Sequence, residues 1–288
     1  MTILEAADII RHTRRCQTLY ARSPMTDTER REPTSSSTPA STPSSTPASA
    51  SPSTPASASP STPASASSST PASSIEFHAD PISPYVYIAW HRLHALTGER
   101  PELRIVVRPV LLAALLGHFG QRGPAEIAPK RVFTYKDIVR RCHELGLPLV
   151  GPAMHPFNPL TALRAILAAP EADRGRALGA IVDAGWGRGI DMADPGALTE
   201  ALTEVGLDGP TLIAATADPA IKQQLITASQ AAADRGVFGV PTFAVGDELI
   251  FGQDRLPDVL HVLAGDDPVD RRQLAAMLAR PAGATRKT

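Results

Sequence analysis

Three short segments of the 288-residue chain carry residue types able to do chemistry. They are Asp80-Pro81-Ile82-Ser83-Pro84-Tyr85, Gly236-Val237-Phe238-Gly239-Val240-Pro241-Thr242 and Phe251-Gly252-Gln253-Asp254-Arg255. Ser83 stands just before a proline and a helical pattern. A hydroxyl there sits among free backbone N–H groups at the positive end of a helix dipole, a place that stabilises an anion. Taken alone, each segment also has an ordinary reading. Ser83-Pro84 is a helix cap followed by a first-turn proline. Val240-Pro241 is an extended turn, and most X-Pro bonds are trans. Asp254 is a cap. The combination is more informative than its parts.

The surrounding pattern supplies the elements that must position these groups. Ile75–Ala79 reads as a short strand. Tyr85, Ile88, Ala89 and Leu93 follow at helical spacing until Gly98 and Pro101. Leu103–Val107 is a second strand, broken at Arg108-Pro109, and a crossover of this length favours a parallel pair. Residues from about 128 to 236 read as helical throughout. Leu198, Ala201, Leu202 and Val205 form an apolar stripe closed by Gly206, and Asp194-Pro195 and Asp218-Pro219 are helix starts. Thr242–Val245, the turn Gly246-Asp247-Glu248 and Leu249–Phe251 predict a hairpin. A helix from about Arg255 to Leu263 follows, and residues 268–280 add another. The expected class is α/β: a mixed sheet covered by helices, with a long helical segment inserted between two halves of a small unit.

Composition excludes several functions. A net charge of −1 gives no electrostatic case for nucleic acid or an acidic membrane. No run of 18 apolar residues provides a transmembrane helix. Cys16 and Cys142 cannot make a disulfide framework and fit a reducing, cytoplasmic setting. His91, His94, His118, His143 and His155 lack metal-ligand spacing. His91 and His94 share a helix face but no third ligand is placed, so no metal site is expected.

The N-terminal quarter differs from the rest. In residues 1–32, Ile3, Leu4, Ile9, Ile10 and Leu19 oppose Arg11, Arg14 and Arg15 as in a short amphipathic helix, and Met25 is an alternative start. Residues 33–74 contain only Ser, Thr, Pro and Ala, with an eight-residue STPASASP repeat. Such a tract cannot bury enough apolar surface to offset its ordering entropy and is expected to be a disordered linker. Residues 75–264 are left as the folding unit, with 265–288 as a tail.

Residues 75–264 resemble 2-hydroxychromene-2-carboxylate isomerase and the kappa-class glutathione transferases, which share a DsbA-like thioredoxin fold with a helical insertion. The matching segments are D-P-I-S-P-Y at 80–85, R-P-V-L-L at 108–112, A-P-K at 128–130 and P-F-N-P-L-T-A-L-R at 156–164. W-G-R-G-I-D at 186–191, G-V-F-G-V-P-T-F at 236–243 and G-D-E-L-I-F-G-Q-D-R-L at 246–256 continue the series in family order. The stretch that carries Cys-x-x-Cys in disulfide oxidoreductases is Ser83-Pro84-Tyr85-Val86 here, so dithiol chemistry is excluded at that position.

The resemblance implies glutathione as the source of the thiol, with Ser83 donating a hydrogen bond to its sulfur. It implies that Val240, before a cis Pro241, pairs with the cysteinyl part. Gln253 and Asp254 would hold the γ-glutamyl end and Lys130 the glycine carboxylate. Gln121 stands where the family has Asn, one methylene longer. Asn158 and Arg164 would hold a substrate carboxylate, and Trp186 and Phe157 are either pocket walls or core. The implied reaction interconverts 2-hydroxychromene-2-carboxylate and trans-o-hydroxybenzylidenepyruvate, in a homodimer. A kappa-like transferase or peroxidase acting on other electrophiles uses the same thiol site, and a non-catalytic DsbA-like binding scaffold is the third reading.

Overall fold

The computed structural model describes residues 74–281 and 283. The expectations for residues 1–32 and for the Ser/Thr/Pro/Ala tract up to residue 73 lie outside the described residues. Ser74, assigned above to that tract, is the first residue of β1 and pairs with Arg104.

β1 (Ser74–Ala79) is the central strand, and its alternation sets the two layers. Ile75, Phe77 and Ala79 face one side and are fully buried. Phe77 stacks between Trp90 and Phe243, at ring-centroid distances of 6.3 and 5.4 Å. Glu76, His78 and Asp80 occupy the opposite face. β2 (Arg104–Pro109) pairs with β1 in parallel, as the long crossover requires. β3 (Thr242–Val245) pairs antiparallel with β1 and with β4 (Glu248–Phe251), giving a mixed sheet in the order β2-β1-β3-β4. β2 continues through Arg108-Pro109, where the sequence pattern predicts a break. β2 is an edge strand, and there a proline removes no ladder hydrogen bond that the sheet needs.

α1 (Pro84–Glu99) connects β1 to β2. It packs against α5 (Arg174–Val182), whose Gly175 and Gly179 form a groove for Trp90. A Cβ at Gly179 would lie 2.6 Å from the Trp90 indole nitrogen, so any side chain there would displace the ring. Between β2 and β3 the inserted segment carries α2 (Leu112–His118), α3 (Ala128–Leu145), α4 (Leu160–Ala168), α5, α6 (Pro195–Glu204), α7 (Gly209–Ala215) and α8 (Pro219–Asp234). Asp194, Asp208 and Asp218 cap α6, α7 and α8 by accepting backbone N–H bonds from Gly196, Thr211 and Ala220.

The insertion is not helical throughout. Residues 146–159 form an irregular loop, because Gly146, Pro148, Gly151, Pro152, Pro156 and Pro159 leave no room for a helical turn. Gly146 ends α3 in the left-handed region at φ 65°, with Leu147 N–H returning to Cys142 O at 2.9 Å. The loop is tied down by bonds from Val150 N–H and Gly151 N–H to Trp186 O and from the Tyr87 hydroxyl to Pro148 O. Its His155–Pro156 bond is cis.

α9 (Leu256–Ala264) packs on β3 and β4, and α10 (Arg271–Leu278) follows with no buried residue. Among the described residues no helix is long and apolar enough to cross a membrane, and no metal-holding cluster is present. His91 faces Asp183 at 2.7 Å, and Cys142 is buried, which pushes its thiol up to about 11.

Candidate functional site

The turn Asp80–Ser83 runs from the end of β1 into α1, and every backbone carbonyl in it is engaged. Asp80 O accepts from Ser83 N–H at 3.0 Å. Pro81 O accepts from the Trp186 indole N–H at 2.9 Å, and Ile82 O meets His155 Nε2 at 3.0 Å. Ser83 O accepts from Val86 N–H at 3.0 Å. A carbonyl can only accept, so the His155 proton lies on Nε2 and its Nδ1 takes the Tyr135 hydroxyl at 3.1 Å. Burial lowers the pKa of His155 and keeps this neutral form.

Asp80 fixes the same turn from below. One carboxyl oxygen accepts Ile82 N–H at 3.0 Å and the other accepts Leu112 N–H at 2.9 Å, joining the turn to the start of α2. The carboxyl is fully buried, which raises its pKa to about 7 against the pull of those two donors.

Ser83 occupies the cap position of α1, but its hydroxyl makes no capping bond. It points across to Val240 O at 3.5 Å, a long contact that leaves the proton available to a better acceptor. The first turn of α1 contains no acidic side chain, so its positive end is not neutralised locally. Val240 is buried, its peptide bond to Pro241 is cis, and its backbone N–H has no partner among the described residues. An unpaired N–H and a carbonyl held only by a long contact are what an extended peptide would meet there. These features fit a thiol-bearing peptide.

The third segment is attached to the second. Gly252 N–H donates to Pro241 O at 3.0 Å. Gly252 holds φ 118°, and a Cβ there would meet Asp254 Oδ1 at 2.8 Å, so glycine is required for this bend. Gln253 is buried, while Asp254 is exposed. Arg92 on α1 donates from one guanidinium nitrogen to Gln253 O at 2.8 Å and to Gln253 Oε1 at 3.1 Å. On the α3 side, the Tyr85 hydroxyl donates to Asp137 at 3.0 Å.

The structure thus brings Ser83, Val240 and Pro241 together, and ties Gln253 and Asp254 to them through Gly252. The other residues named from sequence are placed as follows. Lys130 and Gln121 are exposed, at the first turn of α3 and in the loop after α2. Asn158 spends its side-chain oxygen on Leu160 N–H at 3.1 Å, at the start of α4. Arg164 is half-buried on α4, with an Nε that has no hydrogen-bond partner among the described residues. Trp186 is core, 1% exposed, yet it also clamps the turn. Phe157 is buried. Sequence reasoning overlooked His155, Trp186 and Asp80 as clamps and Arg92 as the partner of Gln253. The family-matching segments contain the first three or adjoin them, and no spacing signal marks Arg92.

With the geometry in hand, the relationships to known proteins are informative. A family model described as the DSBA-like thioredoxin domain matches residues 74–264. The chain is 32% identical over 186 residues to a 2-hydroxychromene-2-carboxylate isomerase of Sphingobium xenophagum, covering 64% of this chain and 94% of that protein. It is 26% identical over 208 residues to human glutathione S-transferase kappa 1, covering 66% and 90%. A solved structure of 2-hydroxychromene-2-carboxylate isomerase superposes with a TM-score of 0.60 at 26% identity, covering 72% of this chain and all of that one. The chain belongs to the DsbA-like thioredoxin family, in the branch that holds the 2-hydroxychromene-2-carboxylate isomerases and the kappa-class glutathione transferases.

Proposed function

We propose that the protein is a glutathione-dependent isomerase that interconverts 2-hydroxychromene-2-carboxylate and trans-o-hydroxybenzylidenepyruvate. The observation that carries the reading is the uncommitted Ser83 hydroxyl at the start of α1, facing the unpaired edge of Val240. When bound, glutathione supplies a thiolate whose reversible addition to a conjugated double bond allows that bond to rotate. The protein's task is to favour the anion. A free thiol titrates near ~8.5 and is only a few per cent ionised at neutral pH. Lowering that value by about two units requires roughly 2.7 kcal/mol of preference for the anion. One hydrogen bond to a charged group contributes about 1.5–3 kcal/mol, and a helix N-terminus about 0.3–1 kcal/mol.

Ser83 acts here as a donor to the sulfur and not as a nucleophile. His91 is paired with Asp183 and His155 with Ile82 O, so neither stands ready to deprotonate the serine. Val240 aligns the cysteinyl backbone. Asp254 faces the ammonium of the γ-glutamyl end, and Lys130 supplies positive charge toward the glycine end. Arg164 and Asn158 are assigned to the substrate carboxylate, the Arg164 side chain being without a bond of its own. The reducing setting expected from the low cysteine count suits a free thiol cofactor.

Turnover of the chromene acid, followed with and without glutathione, tests the reading. Isomerisation that requires glutathione without consuming it is the expected result. Conjugation of an aryl halide with no turnover of the chromene acid would assign the kappa-type transferase reaction instead. Glutathione binding with no chemistry would assign the scaffold.

A further inference from the structure

The structure assigns Arg92 as a positioning residue that fixes the Gln253 side-chain amide so that its NH2 group is presented to the ligand and reads a carboxylate. The inference rests on the glutathione reading above and specifies which feature of a thiol peptide this end of the site selects.

Arg92 lies on α1 two helical turns beyond Tyr85, on the side where Gln253 and Asp254 close over the helix. A guanidinium has donors only. The Gln253 atom that meets it must therefore be the carbonyl oxygen Oε1, and an amide turned the other way would set N–H against N–H. The same Arg92 nitrogen also holds the Gln253 backbone carbonyl, so residue 253 is fixed at two points. The residue is 7% exposed, which leaves little freedom for another rotamer. With Oε1 committed, what remains is Nε2 and its two protons. Nε2 has no partner among the described residues and is not fully enclosed.

The neighbouring Asp254 is an exposed acceptor and raises the pKa of Arg92 against the lowering by burial. The pair thus offers an N–H donor beside a carboxylate. Complementary to it is a group with a carboxylate beside an ammonium, the zwitterionic head of an α-amino acid. Arg92 engages Gln253 through one guanidinium nitrogen and is assigned to positioning rather than to direct contact with the ligand's anion. Its effect passes through the amide. A thiol peptide with a free α-amino acid head is selected, and one with an amine alone is not.

The test is calorimetric titration of the full chain with glutathione and with 4-aminobutyryl-cysteinyl-glycine, which keeps the amine and lacks that α-carboxylate. The wild-type protein is expected to bind glutathione about thirtyfold more tightly than the analogue. In Arg92→Met the ratio should fall below about threefold, with analogue affinity within about twofold of wild type, because the amide is free to turn. Gln253→Glu keeps a partner for Arg92 and hence the local fold, but turns an acceptor outward. It should remove the ratio as well, by loss of glutathione affinity. A ratio retained in either variant would overturn the assignment, as would a wild-type protein that binds both peptides equally. Absence of binding to both by the wild type would instead overturn the glutathione reading and, with it, this one.

Discussion

The segments gathered at Ser83 and the residues assigned from the sequence to the rest of the site are held differently. The 252–254 bend is joined to the 240–242 strand entry by the Gly252 N–H to Pro241 O bond, the Ser83 hydroxyl spans to Val240 O, and Asp80, Trp186 and His155 pin the 80–83 turn. Of the residues assigned from the sequence to the rest of the site, Lys130 and Gln121 are exposed, Asn158 accepts from Leu160 N–H, and Arg164 keeps an unpartnered nitrogen. The difference teaches where preorganisation is required. Stabilising a thiolate needs a donor held in place before the anion arrives, since a donor that must reorganise gives back part of its advantage.

Breaking the pinned segments at Ser83 should have the largest effect. Ser83→Ala is expected to lower kcat about thirty- to hundredfold, the loss of one charge-directed hydrogen bond, with glutathione KM changed less than about threefold. Steady-state kinetics with glutathione varied would measure it, and an unchanged kcat would remove Ser83 from the mechanism. Next is His155→Phe, which frees Ile82 O while keeping a ring against Trp186. It should cost about tenfold in kcat with near-native thermal stability, because the turn then wanders while the core does not. A comparable loss in Tm with no kinetic effect would make His155 a packing residue only.

A smaller effect separates two buried titrating groups, His78 on β1 and Asp80 just after it. Asp80 titrates at about 7 when folded against 3.8 ordinarily, so between those values the folded state keeps a proton that the unfolded chain has lost, and stability falls as pH rises. His78, enclosed with both ring nitrogens unpartnered, is lowered by burial to about 4 from 6.5, so its contribution rises with pH over that range. The two slopes, each about 1.4 kcal/mol per pH unit, oppose one another. Asp80→Asn removes the falling one. Urea unfolding between about pH 4.5 and about 6 should then show the variant gaining roughly 1.4 kcal/mol per pH unit relative to wild type. Parallel curves would mean that Asp80 stays ionised. The smallest effect is expected at the residues assigned to the substrate carboxylate: Arg164→Ala should raise KM for an aromatic keto acid at most about fivefold and leave the glutathione KM unchanged.

Much of this was legible in the sequence because element ends announce themselves. Ser83-Pro84, the Val240-Pro241 entry and the Gly252 bend all sit where a strand or helix must start or stop, and Pro or Gly marks each place. The clamps were not legible, since Trp186 and His155 reach the turn across 105 and 73 residues and bind backbone carbonyls, which have no residue type to match. The 146–159 loop was misread as helix although its prolines and glycines signalled otherwise; the apolar pattern on either side outweighed them. Ser83 reads from the sequence as cap or donor; in the structure it holds the cap position without a capping bond.

The most direct test is an ultraviolet titration of the bound glutathione thiol as the pH is raised, in wild type and in Ser83→Ala. The account predicts an apparent pKa about two units below the free value of ~8.5 in wild type, returning most of the way toward it in the variant. A bound thiol that titrates near its free value in wild type, or an equally depressed value in the variant, would contradict it.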